Sequence, residues 1–207
     1  MDYKNLLLRS SVGIIILLIY IILNVTNFHY IYYFIIILYL LFLIEILFFF
    51  QKYKYLFSIF LFFSFLIFNL LDFKEINIFN FNLMIIVIIT FDIFSYLIGS
   101  NYGKTGFTKL SPKKTIEGLV GGIILSNSFS TFVILIFQKT YTFDFLIFIN
   151  SIIIFSLLGD LIESFFKRKN HLKNSSFFLP GHGGFLDRFD SFIFAIIPYY
   201  FLENYIL

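Results

Sequence analysis

Residues 30–50 read YIYYFIIILYLLFLIEILFFF, a stretch whose one charged side chain is Glu45. A helix rises about 1.5 Å per residue, so some 20 apolar residues cross the roughly 30 Å hydrocarbon layer of a bilayer. No polar alternation marks the stretch as a half-buried strand, and an open sheet edge has no place in hydrocarbon. Similar runs occupy residues 11–25, 55–71, 76–98, 115–137, 143–167 and 191–207. The expectation is an all-α, polytopic transmembrane helical bundle of about seven spans. It forms a single integral membrane domain over residues 1–207, with no linker or repeat. Glu45 is isolated within its span, and the sequence assigns it no role.

The composition agrees. Of 207 residues, 60% are hydrophobic and 13% charged, against about 45–50% and 25% in soluble domains. The mean hydropathy is +0.95. These values exclude a soluble globular domain and a disordered chain. The net charge of +3 is too small for binding nucleic acid through a basic surface. The 34 Phe and 14 Tyr, beside one Ala (Ala195), reflect AT-rich codon use, so no Phe cluster is read as a cofactor site. The chain has no Cys, which removes disulfides, iron–sulfur clusters and thiol catalysis.

Loop charge sets the orientation. With the N-terminus in the cytoplasm, 13 of the 15 Lys and Arg face that side, and only Lys74 and Lys139 face the other. Lys4 and Arg9 precede the first apolar run as in a signal peptide, but no small-residue cleavage site follows. A permanent helix is therefore expected. Both long polar loops, residues 99–114 and 167–190, fall on the cytoplasmic side. Chemistry is expected there, in an integral protein of a bacterial-type inner membrane.

Residues 159–191 read GDLIESFFKRKNHLKNSSFFLPGHGGFLDRFDS. Asp160, Glu163, Ser164 and Lys167 share one helix face by spacing, and Asp187, Asp190 and Ser191 repeat the pattern. Each acid taken singly has a structural reading, as a partner of Lys167 or Arg168 or as a charge favouring a helix N-terminus. Four acids at a membrane edge are costly to hold that way, so the set marks a site. Carboxylates without Cys suit a hard cation such as Mg²⁺, commonly held by one or two carboxylates plus substrate phosphates. The glycines of residues 180–184, PGHGG, bring backbone N–H groups to phosphate oxygens. His182 is read as a hydrogen-bond donor and not as a general base. Acids, cations and glycine loop together point to metal-bridged phosphoryl or nucleotidyl transfer.

A second polar region covers residues 92–122. Ser111-Pro112 is expected to open a helix, with Lys113, Lys114 and Thr115 near its N-terminus as an anion site. Positive-inside anchoring explains those lysines equally well. Gly118, Gly121 and Gly122 suggest close helix packing. Asp92 is either a ligand or a partner of Ser95 or Tyr96.

These residues resemble the signature of phosphatidate cytidylyltransferases (CDP-diacylglycerol synthases). The resemblance is carried by Ser164, Phe166, Lys167-Arg168, Lys173, Ser176, Pro180, His182-Gly183-Gly184, Phe185, Asp187-Arg188, Phe189 and Asp190. Gly159-Asp160, Glu163, residues 111–115 and Glu117-Gly118 also resemble family motifs, so the catalytic-motif region covers residues 92–191. One position departs: the family has Asp where this chain has Asn174, which keeps an oxygen acceptor and loses the charge. The chain is shorter than the family would suggest, and trimmed first spans are expected.

The resemblance implies an enzyme that condenses CTP with phosphatidic acid in a membrane, giving CDP-diacylglycerol and pyrophosphate with Mg²⁺ as cofactor. It implies Asp160 and Asp187 as main metal ligands, with Glu163 and Asp190 close by, the two acid patches meeting around the metal. Asp160, Asp187, Asp190 and Lys167 would carry catalysis. Lys167, Arg168, Lys173, Arg188 and the loop of His182, Gly183 and Gly184 would hold phosphates. Ser111, Lys113, Lys114 and Thr115 would bind nucleotide or lipid phosphate. No nucleic-acid partner is expected, and a homodimer is compatible with the reading. The alternatives are a CTP-dependent lipid kinase of polyprenol type and a non-catalytic membrane relative.

Overall fold

A computed structural model describes residues 3–108, 110–137, 140–179 and 183–206. It contains helices α1 (Tyr3–Thr26), α2 (His29–Phe49), α3 (Lys54–Leu70), α4 (Ile78–Tyr102), α5 (Ile116–Ile136), α6 (Phe143–Lys169) and α7 (Leu186–Ile206). Among the described residues the only β pairings are two isolated bridges, Gly106 with Thr115 and Leu179 with Gly183. Helices α2, α4, α5 and α6 are each long and apolar enough to cross a membrane. The 17 residues of α3 reach the lower limit of a span. Large apolar side chains face outward, Phe48 at 79% and Ile59 at 64% exposure, a surface that only lipid solvates at low cost. The protein is an integral membrane protein.

Several expected boundaries shift, among them the start of α7, at Leu186 instead of residue 191, and the end of α4, at Tyr102 instead of residue 98. The short first span gives way to a helix beginning at Tyr3. The helix expected to open at Ser111-Pro112 starts at Ile116 instead. Residues 111–114 form a turn closed by the Lys114 N–H on the Ser111 carbonyl at 3.1 Å. Extended backbone at Thr115 (φ −117°, ψ 153°) and its side chain, which accepts from the Gly118 N–H, then start α5. A capping Thr satisfies an orphan N–H at the helix start, which Pro112 cannot do.

The chain divides into two compact units. One takes Met1–Phe65, Asp72–Ile76 and Phe166–Phe189; the other takes Leu66–Leu71, Asn77–Phe165 and Asp190–Leu207. In the first, Ile31, Ile35, Leu38, Phe42 and Ile46 form the buried face of α2, spaced as one helical stripe. Tyr39 joins them through a 2.6 Å hydrogen bond between its hydroxyl and Ser64. Phe57 stacks on Phe166 with centroids 4.3 Å apart.

In the second unit α4 lies against α5. A Cβ on Gly118 would stand 2.6 Å from the Ser95 carbonyl oxygen and 3.0 Å from the Gly99 Cα, so the close packing expected of this glycine is present. Asn127 of α5 and Asn150 of α6 exchange amide hydrogen bonds, both 3.2 Å. Such pairs tie helices together where lipid offers no partner. Tyr199 of α7 is buried between Phe81 and Phe148. Glu203 accepts from the Tyr199 hydroxyl and the Asn77 N–H, both at 3.0 Å.

Candidate active site

The second unit holds three of the four expected acids, Asp160, Glu163 and Asp190. Asp160 and Glu163 come from α6, and Asp190 and Ser191 from α7. Lys114, in the loop before α5, forms an ion pair with Asp160 Oδ2. Ser191 donates its hydroxyl to Asp160 Oδ1 at 3.1 Å, and its N–H to Asp190 Oδ1 at 2.9 Å. Ser191 thus links the Asp160 and Asp190 carboxylates. Gly159 makes this possible: a Cβ there would fall 2.5 Å from the Asp190 carbonyl oxygen. Like charges so close need a positive partner, and Lys114 supplies one. Glu163 is buried.

A cavity of about 490 Å³ opens beside this cluster, lined by Asp92, Ser95, Ser111, Lys113, Lys114 and Thr115 among others. All four residues expected to bind nucleotide or lipid phosphate therefore line one space. Two backbone pairings hold their loop. The Phe107 N–H bonds to the Lys114 carbonyl at 2.8 Å, and the Ile116 N–H to the Thr105 carbonyl at 3.0 Å. Glu117 clamps the other side, accepting from the N–H groups of Lys104 and Thr105 and from the Thr105 hydroxyl. Ser95 donates to the backbone carbonyl of Asp92 at 3.4 Å and not to its carboxylate, which lies in the cavity wall.

The first unit holds the other half of the expected residues. Two residues beyond the end of α6, His171 takes φ 57°. The Leu172 N–H reaches back to the Lys167 carbonyl at 2.9 Å and the His171 N–H to Arg168 at 3.2 Å, the doubled closure of a Schellman turn. Asn170 secures this turn by accepting from the N–H groups of Gln51 and Lys52 at 2.8 and 2.6 Å. Beyond it, the Lys167 ammonium pairs with Asp187 Oδ1 at 2.7 Å. Asp187 Oδ2 accepts from the Ser175 N–H at 2.9 Å, the Ser175 hydroxyl at 3.0 Å and the Gly184 N–H at 2.9 Å. Asp187 lies ahead of the apolar stretch of α7. Burial disfavours its charge, but Lys167 and the Gly184 and Ser175 donors outweigh that and hold its carboxyl below the ordinary range.

Gly183 adopts φ +96°, a backbone that glycine takes without strain, and pairs with Leu179 through N–H···O bonds of 2.8 and 3.3 Å. A Cβ there would meet the Asp187 carboxylate and Asn174, the residue that departs from the family pattern. Lys173 and Arg188 are exposed, and an Arg168 guanidinium N–H reaches the Leu172 carbonyl at 3.4 Å. His182, with Pro180 and Gly181, lies outside the described residues.

Glu45 is the residue that reading the sequence missed. It is fully buried and lies within hydrogen-bond distance of four donors, the Ser176 hydroxyl, the N–H groups of Phe185 and Leu186, and the Ser175 hydroxyl that it shares with Asp187. The signal was present: one acid in an otherwise uncharged span is expensive and marks function by default.

Asp92, Asp160, Glu163 and Asp190 offer only oxygen donors, the chemistry a hard divalent cation takes. Among the described residues no group of three or more acids or histidines stands ready as a complete metal cage.

A profile described as the cytidylyltransferase family matches residues 3–206. A phosphatidate cytidylyltransferase of Bacillus subtilis (strain 168) is 41% identical over 119 residues, covering 56% of this chain and 44% of its own length. One from Helicobacter pylori (strain ATCC 700392 / 26695) is 39% identical over 124 residues, 58% of this chain and 47% of the relative. One from Aquifex aeolicus (strain VF5) is 36% identical over 140 residues, 64% and 50% respectively. The chain thus spans about half the length of the curated relatives it matches.

Proposed function

The chain belongs to the cytidylyltransferase family, and from that premise we propose that it condenses CTP with phosphatidic acid at the cytoplasmic face of a bacterial-type inner membrane. An oxygen of the lipid phosphate bonds to the α-phosphorus of CTP. The bond from that phosphorus to the oxygen bridging to the β-phosphate breaks, and its electron pair leaves with pyrophosphate. CDP-diacylglycerol remains in the membrane. Both reactants are anions, so fixed cations lower the barrier most.

One observation carries the reading: Lys113, Lys114, Ser111 and Thr115 line a single cavity whose Lys114 also pairs with Asp160. In this proposal Lys113 and Lys114 neutralise phosphate oxygens while Ser111 and Thr115 donate hydrogen bonds to them. In the other unit Lys167, Arg168, Lys173 and Arg188 neutralise further phosphate charge, while the N–H groups of Gly183 and Gly184, taken by Leu179 and Asp187, fix the shape of the loop. Mg²⁺ belongs to the same proposal, with Asp160, Glu163 and Asp190 as its protein ligands; Asp187, the other acid expected to hold metal, lies in the other unit and pairs with Lys167. When bound, the ion screens the charge that develops on the leaving phosphate. A homodimer is part of the proposal too, and the native mass in detergent tests it.

The deciding experiment incubates the purified chain with labelled CTP and phosphatidic acid while the divalent cation is varied. Label in the lipid with release of pyrophosphate is expected. Release of CDP with a phosphorylated lipid alcohol would replace the reading with a lipid kinase. CTP binding without any turnover would indicate a non-catalytic relative.

A further inference from the structure

The single acid of the second span sits where a membrane protein has least reason to keep one. Glu45 has no exposed surface, and a buried carboxylate is costly unless its lone pairs are filled. They are filled from one place. Oε1 accepts from the Ser176 hydroxyl at 2.8 Å and the Phe185 N–H at 2.7 Å. Oε2 accepts from the Ser175 hydroxyl at 3.1 Å and the Leu186 N–H at 3.0 Å. Leu186 is the first residue of α7, so the carboxylate also faces the positive end of that helix.

All four donors belong to the segment that carries Gly184 and Asp187. The Ser175 hydroxyl, with one hydrogen, stands 3.1 Å from Glu45 and 3.0 Å from Asp187. Its orientation therefore couples the two acids. Gly184 is fitted to the same carboxylate: a Cβ there would lie 2.5 and 2.7 Å from the Glu45 oxygens. We propose that Glu45 is a positioning residue of the active site. Its carboxylate anchors residues 175–176 and 185–186, and through Ser175 and Gly184 it sets where Asp187 and its partner Lys167 are held. The inference rests on the function proposed above and deepens it.

Gln is the decisive replacement because it matches Glu in size. One of its terminal groups is an amide NH2; the Ser hydroxyl beside it can turn to accept from it, but the backbone N–H of Phe185 or Leu186 on that side loses its acceptor. Hydrogen bonds to a charged acceptor are the strong ones, so Glu45→Gln is expected to lower kcat at least about tenfold. Hydrogen exchange should quicken at Phe185 and Leu186 and stay unchanged in α4 and α5. Glu45→Asp, which keeps the charge, should retain more activity than Glu45→Gln. A Glu45→Gln variant with wild-type kcat overturns the proposal, as does loss of activity only in proportion to unfolded protein. Should that variant not fold, Ser176→Ala removes one donor and leaves the carboxylate. A kcat lowered a few-fold with faster exchange at Phe185 supports the proposal, and unchanged values overturn it. Failure of the functional reading is separate: wild-type protein would then show no transfer from CTP, while the exchange difference would still decide the role of Glu45.

Discussion

Asp187 shows what a single carboxylate can organise. It takes an ammonium on one oxygen and three donors from Ser175 and Gly184 on the other. Its pKa is lowered on folding, so the stabilisation it gives is full above the ordinary carboxylate value of about 4 and is lost as pH falls through its lower folded value. Hydrogen-exchange protection at Ser175 and Gly184 is expected to be flat from pH 8 to 5 and to erode only below about pH 4. Asp187→Asn should remove most of that protection at neutral pH, abolish transfer of label from CTP to lipid, and show no acid-dependent step. Asp187 was legible in the sequence because its motif neighbours are close by. The partners of Glu45 were not, because they stand 130 to 141 residues further along the chain. Spacing rules see one turn of helix or one strand, and no local pattern reports a bond of that reach.

Helix existence was legible from apolar length alone, since hydrocarbon leaves the backbone no other way to satisfy itself. Helix starts were not. Ser111-Pro112 has the composition of an opening, but Thr115 caps the helix and the pairing of residues 105–107 with 114–116 keeps the preceding backbone extended. That competition depends on Glu117 holding Lys104 and Thr105, a contact across 13 and 12 residues. The α4–α5 packing is sharper in its demands. Gly118→Val would force branched atoms against the Ser95 carbonyl and Gly99. Overpacking of this kind costs about 1–3 kcal/mol or more. A thermal midpoint lower by several degrees is expected, with CTP turnover falling in the same variant because Gly99, Thr115 and Ser95 line the cavity.

For the molecule as a whole, charge counting set an orientation that can be measured directly. The chain has no Cys, so one introduced at exposed Lys113 is a unique label site. A membrane-impermeant maleimide is expected to modify Lys113→Cys in inverted vesicles and not in intact cells, while Lys74→Cys gives the reverse. Labelling of Lys113→Cys from outside would place the cavity on the wrong side for a soluble nucleotide. The order of segments along the chain has a further consequence. Glu45 enters the bilayer about 130 residues before Ser175 is made. At roughly 5–20 residues per second of synthesis, its carboxyl waits on the order of ten seconds for the groups that will satisfy it. During that interval the nascent protein holds an unshielded acid in lipid, so the insertion machinery or a local water defect must shelter it until the final hairpin arrives. A ribosome stalled before Ser175 would leave that shelter permanently occupied.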